Sequence, residues 1–371
     1  METKKTISDS SKKLYIRCLE KMKKMNIDIS NITDINIIKT KLKEIELSDA
    51  TIKTYLSALL WHSRENNVNV EQQAKMTKII KEICHNYNQE AGKGNLSEKE
   101  KEKFIKWETV VKIYNSLKDL YNKDINNKKI REHYIMLSLY VLMPPRRILD
   151  YVNLYIDNKQ QIDISEVIKF GDIDYVKKMD ENLEQNIPTD IKNYYVRKNE
   201  IGYFIFNNYK TKDSYASQCL ELNPELDKIL VDFIKISKLK HNNKIIDISH
   251  ENFIFRLKKI FEAYINKSIS ASTLRHIFIT YSTDNHIIKI HNNKVHLALQ
   301  MGHSVLTQSK YAKHIDDIIL DENLNEDAAD KLLAKPGRKR IYATEEEKKE
   351  ADNKNRRKKY HDKKLNLIKV E

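Results

Sequence analysis

The chain has 371 residues, 32% of them charged and 40% hydrophobic, which fits two folded globular domains and a tail and excludes a wholly disordered protein. Its 67 Lys and Arg against 53 Asp and Glu leave a formal charge of +14, which points to a polyanionic partner, nucleic acid before others. No apolar run reaches the ~18 residues a bilayer-spanning helix needs, so no membrane partner is expected.

The N-terminus lacks an apolar signal core, and Cys18, Cys84 and Cys219 are scattered and odd in number. Free thiols in a reducing, intracellular compartment are expected, with nucleus and cytoplasm (or a viral factory within it) not distinguished. His286, His291 and His296 recur every five residues, a spacing that does not keep them on one helix face, so no metal cluster is expected. The glycine pair in "AGKG", 91–94, is too short to cradle a triphosphate. No cofactor is expected.

In chain order, residues 1–90 read as a helical domain. Ser48 is a plausible N-cap for a helix whose Ile52, Tyr55, Leu56, Leu59 and Leu60 form one apolar stripe. The next, polar stretch, 91–103, reads as a linker, and Ser97 with Glu100 has the spacing of a capping box. Residues 104–315 form the second predicted domain. Trp107, Val110, Val111, Tyr114 and Leu117 continue a helical stripe there, and "HYIMLSLYVLM" is a second apolar helix that ends at Pro144-Pro145. The period then changes. Residues 193–222 are rich in Tyr, Phe, Ile and Val, with turns near 199–202 and 213–214, and predict three antiparallel strands. From Pro224 helical periodicity returns. Residues 316–334 mix seven acidic side chains with Ile318, Ile319, Leu320, Leu324 and Leu332, a candidate helix for docking on another protomer. The tail, 335–371, holds 14 Lys and Arg against 7 Asp and Glu and shows no apolar stripe, so it is expected to be disordered or to fold on DNA. The fold class is mainly α with a small antiparallel β-sheet, α+β.

Several residues carry possible chemistry. In "PPRRILDY" two arginines follow a forced helix break, and a buried guanidinium needs an anionic partner because it stays charged at any accessible pH. Asp150 fits either as that partner in a structural ion pair or as the support of an arginine aimed at a phosphate. Arg275 raises the same question among Leu274, Ile277, Phe278 and Ile279. Two arginines from distant segments can clamp one phosphodiester and stabilise a pentacoordinate transition state without a metal. Lys210 can protonate a leaving alkoxide. His303 can donate a hydrogen bond or shuttle a proton, and Tyr311 can attack phosphorus to form a phosphotyrosine.

The order of these segments resembles the tyrosine recombinase (phage-integrase-like) family. "RILD" is similar to its R-x-x-[ED] segment, which puts the first catalytic arginine at Arg147 rather than Arg146. "YKT" resembles the β-hairpin lysine segment and points to Lys210, with Lys212 as the fallback. "STLRHIFIT" resembles the H-x-L-R-H-T-F-A-T box, which places the second arginine at Arg275 and His276 beside it. "MGHSVLTQSKYAKH" resembles the L-G-H-S…Y-x-H ending, with His303 as the late histidine and Tyr311 as the nucleophile. The likeness spans about 100–315. It implies a site-specific recombinase or integrase that clamps double-stranded DNA between residues 1–90 and the catalytic domain, working as a dimer per site and a tetrameric synapse.

Three departures stand out. Ser272 replaces the usual first histidine of H-x-x-R and cannot act as a base near neutral pH. His303 and Tyr311 are eight positions apart, one fewer than in typical bacterial members. "PPRR" in place of Gly-Leu-Arg suggests a divergent branch of viral or mobile-element kind. Two other readings compete: a type IB topoisomerase, whose N-terminal part is typically β-rich where 1–90 reads helical, and a catalytically silent DNA-binding protein on the same scaffold, which Ser272 favours.

Overall fold

A computed structural model describes residues 7, 9–29, 34–66, 70–157, 192–212, 217–284, 291–313 and 323–333. The basic tail, His286 and residues 316–322 lie outside the described residues. The chain is mainly helical with one small sheet, an α+β protein.

Four helices open it: α1 (Asp9–Lys24), α2 (Ile35–Glu44), α3 (Asp49–Glu65) and α4 (Val70–Gly92). Ser48 caps α3 by accepting from the Thr51 amide at 3.3 Å. Behind that cap Ile52, Tyr55, Leu56 and Leu59 are buried and Leu60 packs at their edge. With Met22, Ile35, Leu42 and Met76 they close one apolar core. Helix α4 carries on to Gly92, so the start of the polar stretch is still helix. The chain then turns at Gly94, whose φ of 71° is left-handed and favours glycine. The short α5 (Glu98–Lys101) comes next, with the Ser97 amide and hydroxyl both donating to Glu100 Oε2 at 2.9 and 2.7 Å.

A second, larger core begins at Leu96 and extends to Leu332. It is built on α6 (Trp107–Lys123), α7 (Lys128–Val141) and α8 (Ile148–Val152), then a sheet, then α9 (Pro224–Ile236), α10 (His250–Ile265) and α11 (Ala271–Asp284). The last described helices are α12 (His291–Gln300), α13 (Val305–Ser309) and α14 (Ala328–Leu333). Ala328 and Leu332 of α14 lie in this chain's own core, and the Asn325 amide bonds the Tyr264 carbonyl of α10 at 2.7 Å. Among the described residues no helix is long and apolar enough to cross a membrane.

The sheet corrects the sequence expectation. The three antiparallel strands are there: β2 (Asn193–Lys198), β3 (Ile201–Phe206) and β4 (Gln218–Glu221). A fourth, β1 (Leu154–Asp157), pairs parallel with β2 and makes the sheet mixed, in the order β1-β2-β3-β4. Four residues directly after a helix are too few to show a period of two, which is why pattern alone does not reveal β1. Asn199 and Glu200 both have positive φ, 50° and 63°, the two-residue turn that matches the twist of a hairpin. One sheet face sends Tyr195, Phe204, Phe206 and Leu220 into the main core.

Candidate active site

Helix α7 stops where Pro144-Pro145 removes two amide donors, and the chain turns so that Arg146 points inward while Arg147 becomes the N-cap residue of α8. Arg146 is 1% exposed. Its Nε pairs with Asp150 Oδ2 at 3.0 Å, and its Nη1 donates to Gln218 Oε1 at 2.8 Å and to the Gln300 carbonyl at 2.7 Å. The guanidinium carbon lies 3.9 Å from the centroid of the Phe206 ring. Arg147 is half-buried and donates Nη1 to the Gly302 carbonyl at 2.7 Å, which the Thr211 hydroxyl also reaches at 2.9 Å. Arg275, on the buried face of α11 and 4% exposed, donates Nη2 to the Met301 carbonyl at 3.2 Å.

Three arginines from two distant segments thus take three consecutive carbonyls, Gln300, Met301 and Gly302, at the C-terminus of α12. A helix C-terminus leaves carbonyls unpaired and carries partial negative charge, so cations are suited to it. Gly302 makes the turn possible. Its φ is +65°, and a Cβ there would stand 2.8 Å from Arg146 Nη2.

His303 is the next residue and is 1% exposed. Its Nδ1 lies 3.1 Å from the Ser304 carbonyl; a carbonyl only accepts, so Nδ1 carries the proton. Burial first, then the three arginines, push this imidazole down to about 3, so the ring is neutral near pH 7 and Nε2 offers a lone pair. Tyr311 packs against this ring edge-on at 5.3 Å between centroids, with the Arg275 guanidinium 5.5 Å from its own centroid. His276, one residue after Arg275 on α11, stacks on Tyr311 at 4.3 Å and 28°. Burial chiefly, with Lys313 and Arg275, lowers His276 to about 4.

The electrostatics favour an anion. Arg146, Arg147 and Arg275 act on one another with a single carboxylate, Asp150, prominent among them. Burial brings Arg275 down to about 10, and the two other arginines add to it. Arg146 Nη2, Arg275 Nε and His303 Nε2 are buried without a hydrogen-bond partner among the described residues. The two guanidinium N–H groups are costly to leave unmade and suit an oxyanion, whereas His303 Nε2, an acceptor here, suits a donor such as a hydroxyl.

The fold therefore brings Arg147, Asp150, Arg275, His276, His303 and Tyr311 together. It does not bring in the rest. Lys210 and Lys212 are exposed in the turn after β3, where the residue between them, Thr211, makes the contact to Gly302. Ser272 is exposed in the first turn of α11. Asp150 pairs with Arg146 and not with Arg147, so the doubled arginine divides into one buried support and one half-buried donor. Sequence reasoning passed over Arg146 in favour of Arg147 and did not single out Thr211, Gln218 or Gly302. The doubled arginine and the lone glycine were the available signals.

No family model matches the chain, and no curated protein matches it. Among solved structures, the crystal structure of XerA recombinase overlaps it at a TM-score of 0.31 with 16% identity, over 84% of this chain and 89% of that chain. So loose an overlap carries no weight for or against the chemistry of the site.

Proposed function

We propose that the chain cuts and rejoins DNA through a covalent phosphotyrosine, as a recombinase or integrase does. The observation that carries this is the meeting of Tyr311 with Arg275, neutral His303 and His276, beside Arg147, in a buried cluster whose cations outnumber its carboxylate. The resemblance of the surrounding motifs to tyrosine recombinases supports the same reading.

In this reading Arg275 and Arg147 hold the non-bridging oxygens of the scissile phosphodiester. The Tyr311 oxygen attacks phosphorus, its proton passing to His303 Nε2, whose basicity rises once the bound phosphate neutralises the arginines beside it, and the bond to the 5′-oxygen breaks. That oxygen takes a proton from Lys210 and leaves as a 5′-hydroxyl, while the 3′-phosphate stays on Tyr311. Return attack by a 5′-hydroxyl reverses the step, so the bond energy is kept and no divalent metal is needed. Lys210 reaches the phosphate only if its turn moves inward on DNA. Double-stranded DNA is the partner, a homo-oligomer of two protomers per site and four per synapse is the assembly, and the basic tail adds phosphate contacts.

The test is trapping on nicked duplex DNA without divalent metal. The wild type should give a slow-migrating covalent band on a denaturing gel, and Tyr311→Phe should give none. Binding without an adduct, with flanking element sequence supplied, would favour the silent DNA-binding reading. Relaxation of supercoiled plasmid by a monomer would favour the topoisomerase.

A further inference from the structure

The segment that carries Tyr311 is tied to the joint between the two cores. Helix α13 ends at Ser309, and beyond it the Tyr311 amide bonds back to the Gln308 carbonyl at 2.9 Å. The flanking lysines are anchored from outside. The Lys313 amide donates to Thr280 Oγ1 of α11 at 3.0 Å, and the Lys313 ammonium reaches the Asn95 carbonyl at 3.3 Å and Glu100 Oε1 at 3.5 Å. Lys310 donates to Asn88 Oδ1, near the end of α4, at 2.7 Å. The first core's last buried residue is Ile83 and the second core's first is Leu96, so Asn88 and Asn95 belong to the connection.

The Lys313 side chain is only 7% exposed, unusual for a residue type that normally keeps its head in water, and Glu100 is the carboxylate that meets it. Glu100 is itself fixed, because its other oxygen accepts from the Ser97 amide and hydroxyl. Burial would raise this carboxyl, but Ser97 and Lys313 outweigh it and hold it below the usual range, so it is ionised. Tyr311 itself is stacked on the His276 ring.

From this geometry we infer that Glu100 and Lys313 are positioning residues for Tyr311, through which the joint between the two cores sets where the tyrosine hydroxyl stands. The inference rests on the strand-transfer reading above. Neither residue touches the reacting atoms. Displacing the joint moves Lys313, and with it a tyrosine two residues away whose attack tolerates little misplacement.

The full-length chain is used, with single-turnover adduct formation on nicked duplex at saturating DNA, and DNA affinity measured at the same salt. Glu100→Lys and Lys313→Glu should each slow adduct formation by about 10- to 100-fold while affinity changes less than about threefold. The double reversal Glu100→Lys/Lys313→Glu should be faster than either single variant, short of wild type because the Ser97 and Asn95 bonds are not restored, and Lys313→Arg should stay close to wild type. As a second measure, nitration of Tyr311 mapped by mass spectrometry should rise in the single reversals and fall back in the double, with melting curves reporting the fold. Unchanged rates in the single variants, a double variant no faster than either single, or losses confined to DNA affinity would each overturn the inference. A wild type that forms no adduct, or a Tyr311→Phe variant that still does, would instead sink the strand-transfer reading, and nitration would then report the latch by itself.

Discussion

The two cores differ in what they bury. Among the described residues between Cys18 and Ile83 the buried set is apolar apart from Ser63 and Gln72. The second core buries Arg146, Asp150, Asp157, Asp227, Arg275, His133 and His303 among its aromatic and aliphatic side chains. Taking a charge out of water costs several kcal/mol before any partner offsets it, so stability alone does not call for such residues. The first core is packing. In the second, part of the stability has been exchanged for charge held in place.

Substitutions can break that contrast. The largest effect is expected on chemistry: Arg275→Ala should lower the rate of adduct formation by about 10³-fold, the scale of losing a preorganised donor, with folding judged by circular dichroism. Arg146→Met leaves Asp150 buried beside an apolar side chain and should cost about 3–5 kcal/mol in urea unfolding. Leu56→Ala in the first core should cost about 2–5 kcal/mol by leaving a cavity, yet leave the rate of adduct formation at saturating DNA nearly unchanged. If Leu56→Ala slowed chemistry as much as Arg275→Ala, the division between the cores would fail.

Smaller effects sharpen the same contrast. Gly302→Ala places a side chain at positive φ against Arg146 and should cost about 1–3 kcal/mol, so that shrinking residue 146 in the same chain relieves part of the clash. Acid should act on the second core through its histidines. His133 and His303 lie at about 3 and His276 at about 4, against an ordinary value near 6.5. Because these folded values are lowered, the unfolded chain takes up protons first. Their contribution is complete above about pH 6.5 and is lost as pH falls to about 4 for His276 and about 3 for the other two, by up to about 1.4 kcal/mol per unit for each group. Urea midpoints at several pH values check this, and His133→Leu should flatten the slope.

The legible parts of the chain are those where one local rule acts alone. The Ser48 cap, the Ser97–Glu100 box, the stop at Pro144-Pro145 and the start at Pro224 each result from the backbone needs of a few neighbouring residues. In the candidate site, a motif order singles out Arg147, Arg275, His303 and Tyr311, and the fold places them together. The hidden parts depend on partners far away in sequence. Nothing near "PPRR" says that Arg146 will lie against Gln218 and Gln300, or that Thr211 and not Lys210 will touch Gly302. The parallel partner of β2 is hidden for a similar reason: a four-residue strand acquires its meaning only from the strand beside it.

The bond from Arg146 to Gln300 joins residues 154 positions apart. During synthesis the arginine emerges well before its acceptor, and until then it is a cation with only a fraction of the contacts that make its burial tolerable. Closing so long a loop also comes late in folding, since its entropy is lost before the contact forms. The arginine pocket is therefore completed only after α12 has been made. A chain cut short before Gln300 lacks the carbonyl that holds the Arg146 guanidinium in its buried place.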